Sequence, residues 1–72
     1  MTIELNGERR ELPEGTNVVA VVELTGAGTA GRDGRGLAVA IDGEVVPRAR
    51  WAATTLGEGQ RVEVLQAVGG GS

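Results

Sequence analysis

The chain has 72 residues, with ten acidic and seven basic side chains, one aromatic residue, no Cys and no His. A chain of this length forms one domain. Without Cys or His, it lacks a disulfide, a zinc site and the usual thiol or imidazole catalyst. We therefore expect no self-sufficient enzyme and no bound cofactor or metal. The net charge of −3 and the single aromatic residue argue against nucleic-acid binding. The sequence has neither an apolar run of ~20 residues nor a signal peptide, which predicts a cytoplasmic protein without a membrane span.

The N-terminal residues predict a β-hairpin. Polar and apolar residues alternate over residues 2–6, and Asn6-Gly7 is a favoured two-residue turn. Residues 8–12 then resume as a second, more polar strand.

A helix is predicted after the Pro-Glu-Gly break that ends this hairpin. The apolar stretch from Val18 to Leu24 is rich in β-branched residues, which would also suit a strand. Thr16 or Asn17 can cap a helix, however, and Gly26 can end one. We therefore interpret this stretch as a helix.

Residues 26–36 contain five glycines and no apolar residue larger than Ala, which predicts a flexible loop. The segment contains a G-x-G-x-x-G pattern, which in dinucleotide-binding proteins follows a strand and opens a helix. Here a predicted helix precedes it and a predicted strand follows it. A nucleotide site is therefore not expected.

The second half of the chain predicts three more strands. Residues 37–41 form a short apolar run, which suggests a central strand covered on both faces, and Asp42-Gly43 is a hairpin turn before a strand at residues 44–46. Residues 48–56 read as one or two helical turns, and residues 61–68 alternate as a last strand. The predicted order is β-β-α-β-β-(short helix)-β.

In so short a chain, these elements can form only one core, in which a mixed sheet curls around the main helix. This is an α+β architecture of the β-grasp type, with about five strands, one main helix and a short second helix. We assign residues 1–68 to this domain and residues 69–72 to a flexible, glycine-rich C-terminal tail.

Side chains offer few candidates for a functional site. Most charged residues are exposed in proteins, so the scattered carboxylates are predicted to be solvated surface groups; they are Glu4, Glu11, Glu23, Glu44, Glu58 and Glu63. Trp51 is predicted to be the main aromatic of the core. Alternatively, Arg48 and Trp51 form part of a partner interface, since both residue types are enriched in binding hot spots.

The tail is the remaining candidate. Three glycines followed by Ser72 are what a frayed end or a linker would show. An extended tail without side chains can also enter a channel too narrow for a Cβ and present a carboxylate to another protein's active site. In that case the partner performs the chemistry and this chain supplies the reactive atom.

Taken together, these segments resemble the ThiS family of sulfur carriers in thiamine biosynthesis, which are ubiquitin-like β-grasp proteins related to the MoaD family. The resemblance covers nearly the whole chain. The more specific parts are the block from Val46-Pro47-Arg48 to Trp51 and the last strand leading into the glycines. Asp42-Gly43 stands where the family usually has Asn-Gly, and the turn accepts this change.

The resemblance implies a protein cosubstrate and not an enzyme. Gly71 would be adenylated by an E1-like enzyme that uses ATP, and its carboxylate would become a thiocarboxylate with sulfur from a sulfurtransferase. Gly70 and Gly69 would help a partner to recognise the tail. Thiazole synthase would then accept the sulfur.

Ser72 departs from the family pattern, because family members end at Gly-Gly and an amide at Gly71 leaves no free carboxylate. Three explanations are open: removal of Ser72 by a processing protease, a linker remnant, or a binding domain that has lost the carrier function. The recipient is open too, since similar carriers serve molybdopterin, cysteine, thiolated natural products and tRNA thiolation. The competing function is a ubiquitin-like interaction module with an inert tail.

Overall fold

The structure is a computed structural model that describes residues 1–25 and 36–66, apart from the side chain of Gln66. The predicted loop over residues 26–36, except Gly36, and the whole predicted tail lie outside the described residues. In chain order, the elements are β1 Thr2–Leu5, β2 Glu8–Glu11, α1 Val18–Leu24, β3 Leu37–Ile41, β4 Glu44–Val46, a 3₁₀ helix Arg48–Ala53, and β5 Arg61–Gln66.

The strands form one mixed sheet in the order β2-β1-β5-β3-β4. The two hairpins, β1-β2 and β3-β4, are antiparallel, and β5 lies between them, parallel to β1 and antiparallel to β3. The last strand in the sequence is thus the central strand of the sheet. The predicted β-grasp architecture and its element order are confirmed.

Both hairpins turn through two residues with left-handed backbone. Asn6 and Asp42 each have a φ of 50°, and the glycines that follow them, Gly7 and Gly43, have φ of 84° and 88°. Positive φ at both central residues is the geometry that twists a two-residue turn to match its strands, and Asn-Gly and Asp-Gly tolerate it best. The residue types predicted these turns correctly.

Helix α1 covers one face of the sheet. Its buried residues are Val18, Val21 and Val22, a spacing that places them on one side of a helix. Asn17 is the cap: its side-chain oxygen accepts a hydrogen bond from the backbone N–H of Ala20 at 2.9 Å, and its amide donates to the carbonyl of Ala52 at 3.2 Å. This second bond joins the start of α1 to the 3₁₀ helix.

The core lies between α1, the 3₁₀ helix and the inner face of the sheet. Its fully buried side chains include Ile3 from β1, Val39 from β3 and Val62 from β5. Across the core, these residues meet the valines of α1. Trp51 and Leu56 close it at the side of the 3₁₀ helix.

One expectation about β3 is wrong. Its continuous apolar run suggested a strand covered on both faces, but Val39 is buried whereas its neighbour Ala38 is exposed. In the part of the chain that the structure describes, the helices pack on one face of the sheet alone. Alanine tolerates the open face because its side chain exposes little apolar area, which is why the run does not alternate in composition.

Candidate functional site

The tail residues Gly69, Gly70, Gly71 and Ser72 lie outside the described residues, so the structure places the strand from which they extend and not the tail itself. That strand is β5, which pairs with β3 from Val62 to Gln66 on one edge. On its other edge it pairs with β1 at Arg61 and Val62. Any group carried beyond Gln66 is therefore attached to the most central strand of the sheet.

The outer face of the sheet carries an apolar patch at the end of β5. Directly opposed residues of paired strands share a face, and the register pairs Ala38 with Leu65 and Ala40 with Val45. Val45 is 72% exposed and Leu65 is 63% exposed. We call these four residues the outer apolar patch.

Charged groups border the outer apolar patch. Glu63 is exposed and lies opposite Ala40 in the register. Further along, Arg61 Nε approaches Glu4 Oε2 at 3.6 Å, with both side chains largely in solvent. Such an exposed ion pair contributes little to stability. An exposed apolar centre with a charged border is the usual composition of a protein-binding surface.

Arg48 and Trp51, which the sequence analysis joined as a possible interface, have different environments. Trp51 is 6% exposed, and its indole Nε1 donates a hydrogen bond to the carbonyl of Val46 at 2.9 Å. It thus has the core role that the sequence analysis favoured. Arg48, at the start of the 3₁₀ helix, is exposed.

The carboxylates that the sequence analysis assigned to the surface are exposed: Glu4, Glu11, Glu23, Glu44, Glu58 and Glu63. Over residues 1–25 and 36–66, no three acidic side chains come close enough together to hold a metal ion. No helix among these residues has the length and apolar character needed to cross a membrane.

Sequence reasoning missed the outer apolar patch. Its four residues come from three strands, and only the register brings them together. The exposed leucine in β5, out of phase with the buried Val62 and Val64, was the one local signal that could have indicated it.

Comparison with known proteins assigns this arrangement to a family. The model of the ThiS family matches residues 3–71. The crystal structure of the thiamine biosynthesis protein ThiS from Geobacter metallireducens superposes with a TM-score of 0.76, at 30% identity over 99% of this chain and 100% of that one. A curated thiazole synthase from Paramagnetospirillum magneticum is 32% identical over all 72 residues, and this chain spans about a fifth (21%) of its length.

Proposed function

The chain belongs to the ThiS family, and from this membership we propose that it is a sulfur carrier protein whose Gly71 carboxyl group becomes a thiocarboxylate for thiamine thiazole formation. The observation that carries the proposal is the extent of the family match, which runs through Gly70 to Gly71 and stops before Ser72. The solved ThiS structure, similar over 99% of this chain and 100% of its own, supports the same assignment.

The chemistry requires an activating partner. A carboxylate is a poor electrophile, so an E1-like enzyme would transfer AMP from ATP to the Gly71 carboxylate and release pyrophosphate. Hydrosulfide would then attack the acyl carbon and displace AMP, leaving the thiocarboxylate. If a sulfurtransferase delivers the sulfur as a persulfide, the attack would give an acyl disulfide, and a thiol would cleave its S–S bond to release the thiocarboxylate and form a disulfide in turn. Because the chain has no Cys, it has no thiol of its own to carry the sulfur.

Processing at Ser72 belongs to this proposal. While Ser72 is attached, the carbonyl of Gly71 is part of an amide, so Gly71 has no free carboxylate to attack ATP. We therefore propose that a protease hydrolyses the Gly71–Ser72 bond before adenylation.

Thiazole synthase is the proposed acceptor of the sulfur. The supporting observation is the curated thiazole synthase that contains a segment 32% identical to this chain. A carrier-like segment within a protein of that name is consistent with a carrier and an acceptor that act on one another. The carriers of other pathways share the tail chemistry, so the acceptor needs its own assay.

The outer apolar patch is the proposed contact surface for the activating enzyme. It lies beside the end of β5, so a protein bound there would be adjacent to the start of the tail. It is also the feature that would serve the alternative function, an interaction module with an inert tail. The two functions differ in whether Gly71 reacts.

The first test compares the full chain with a chain that ends at Gly71. Each is incubated with the activating enzyme and ATP, and adenylation is followed by exchange of labelled pyrophosphate into ATP. We expect exchange for the chain ending at Gly71 and none for the full chain until the processing protease is added. If neither chain supports exchange but both bind a partner, the carrier proposal fails and the interaction module stands.

The second test places the same charge on two exposed leucines. Leu65→Glu puts a carboxylate in the outer apolar patch, whereas Leu24→Glu puts one on α1, across the sheet from the patch, where Leu24 is 49% exposed. We expect Leu65→Glu to weaken binding to the activating enzyme by at least about tenfold, since a charge at an interface centre is left desolvated and unpaired.

Leu24→Glu is the matched control and is expected to bind as the wild type does. Both variants should keep the wild-type melting temperature within a few degrees, because exposed substitutions change stability by about 0.5 kcal/mol or less. Equal weakening by both variants would show that the patch is not the contact surface. Val45→Glu, two strands away from β5, repeats the test without altering the strand that leads to the tail.

A further inference from the structure

Side chains from both hairpin turns are hydrogen-bonded to the backbone of β5. Asn6 Oδ1 accepts a hydrogen bond from the N–H of Val64 at 2.8 Å. Asp42 Oδ1 accepts one from the N–H of Arg61 at 2.9 Å. Asn6 and Asp42 have the same φ of 50° and are each followed by glycine, so one type of turn is used twice, once on each edge of the central strand.

The bond from Asn6 extends a short ladder. β1 is bonded to the start of β5 through Glu4 N to Gln60 O and Asn6 N to Val62 O, both at 2.9 Å. The chain then turns back into β2, and no further carbonyl of β1 follows in line. The amide oxygen of Asn6 supplies the acceptor that the N–H of Val64 would otherwise lack on this edge.

The two bonds act at opposite ends of β5. Arg61 is the first residue of the strand, whereas Val64 is followed by only Leu65 and Gln66 before the strand ends. The β3 edge remains paired as far as Gln66, which lies opposite Leu37. On the β1 edge, the bond to the turn residue Asn6 is the last one that joins the β1-β2 hairpin to β5 within the described residues.

We propose that Asn6 is a positioning residue for the reaction at Gly71, acting by fixing the end of β5 from which the following residues extend. This inference rests on the proposed function, because it requires Gly71 to be the reacting residue. Gly71 is seven residues beyond Val64, a span of about 23 Å when extended. Reacting atoms must approach to about 3–3.5 Å, so the point of departure must be well defined.

The physical effect of the Asn6 bond is to reduce the number of residues that must be ordered at each encounter with the activating enzyme. Without it, one edge of β5 is unbonded from Val64 onward, and the end of the strand separates from the sheet more often. Each residue so released must be ordered again before Gly71 reaches the reaction centre. This loss of conformational entropy opposes the productive alignment of the tail, and it does not affect binding through the outer apolar patch.

The test uses three variants that keep the turns intact. Glycine adopts a φ of 50° without strain, so Asn6→Gly removes the acceptor but not the turn. Asn6→Asp retains an acceptor oxygen, and Asp42 shows that aspartate fits this turn. Asp42→Gly is the matched control, because it removes the equivalent bond at the other end of the same strand.

Two quantities are measured for each variant: amide hydrogen exchange at Val64 and Arg61 in the full chain, and steady-state adenylation of the chain ending at Gly71. We expect Asn6→Gly to speed exchange at Val64 and lower kcat, each by about fivefold, the effect of losing one net hydrogen bond. Its dissociation constant for the activating enzyme should not change. Asn6→Asp should match the wild type, and Asp42→Gly should speed exchange at Arg61 while kcat stays the same.

The positioning role is overturned if Asn6→Gly and Asp42→Gly lower kcat equally, since that would indicate a general loss of stability. It is also overturned if Asn6→Gly speeds exchange at Val64 and leaves kcat unchanged, while the wild type is adenylated normally. If the wild type itself is not adenylated, the proposed function fails and the positioning role fails with it. The first two results leave the carrier function standing, so the failures are distinguishable.

Discussion

A chain that ends at Gly69, without Gly70 and Gly71, is expected to lose adenylation entirely while keeping its melting temperature. The proposed reactive carboxyl group would be absent, and the new carboxyl at Gly69 would end two residues, about 7 Å, short of the reaction centre. Within residues 1–25 and 36–66, the buried core side chains run from Ile3 to Val64, and glycine has no side chain to add to them. Pyrophosphate exchange and thermal unfolding of the same preparation measure both quantities.

The matched control for this truncation is the chain ending at Gly71, which has the same residues throughout the fold. A chain ending at Gly69 that supports exchange would show that the activating enzyme accepts any terminal carboxylate within reach. A large fall in its melting temperature would show that the tail is packed against the domain. Either result would contradict the assignment of Gly70 and Gly71 as the residues that enter the partner's active site.

Trp51→Ala is expected to have the largest effect on stability. Trp51 is 6% exposed and bonded through its indole to the carbonyl of Val46. Replacing a buried Trp by Ala costs about 3–5 kcal/mol, and small domains have a total stability of roughly 5–15 kcal/mol. We expect this variant to be largely unfolded or to melt far below the wild type in a urea or thermal titration.

Arg48→Ala is the control for Trp51→Ala, because Arg48 lies three residues earlier in the same 3₁₀ helix and is exposed. Its free energy of unfolding is expected to change by about 0.5 kcal/mol or less. Equal destabilisation by both variants would mean that the 3₁₀ helix as a whole, and not the buried indole, carries the stability. No destabilisation by Trp51→Ala would contradict the core described above.

The sequence was sufficient for those parts of the fold that local chemistry decides. A two-residue hairpin turn requires positive φ at both central residues, which few residue pairs other than Asn-Gly and Asp-Gly adopt. The two hairpins could therefore be predicted from Asn6-Gly7 and Asp42-Gly43. The helix could be predicted from its cap, although the choice between Thr16 and Asn17 needed the structure, which shows the Asn17 side chain bonded to Ala20.

Features that depend on the pairing of distant strands could not be predicted. The apolar run of β3 did not distinguish a strand covered on one face from a strand covered on both faces, because Ala38 is apolar but small enough to be exposed. The outer apolar patch requires the register of β3 with both β4 and β5. The bond from Asn6 to Val64 joins residues 58 positions apart, and the pattern Asn-Gly gave no sign of a partner beyond its own turn.

The central claim is that the carboxyl group of Gly71 carries sulfur, and the intact mass of the chain tests it most directly. The chain ending at Gly71 is incubated with the activating enzyme, ATP and a sulfide source, and its intact mass is then measured by mass spectrometry. The account predicts a product in which one oxygen is replaced by sulfur, with the change confined to the C-terminal residue in a fragment spectrum. An unmodified mass under conditions in which the activating enzyme consumes ATP on this chain would contradict it.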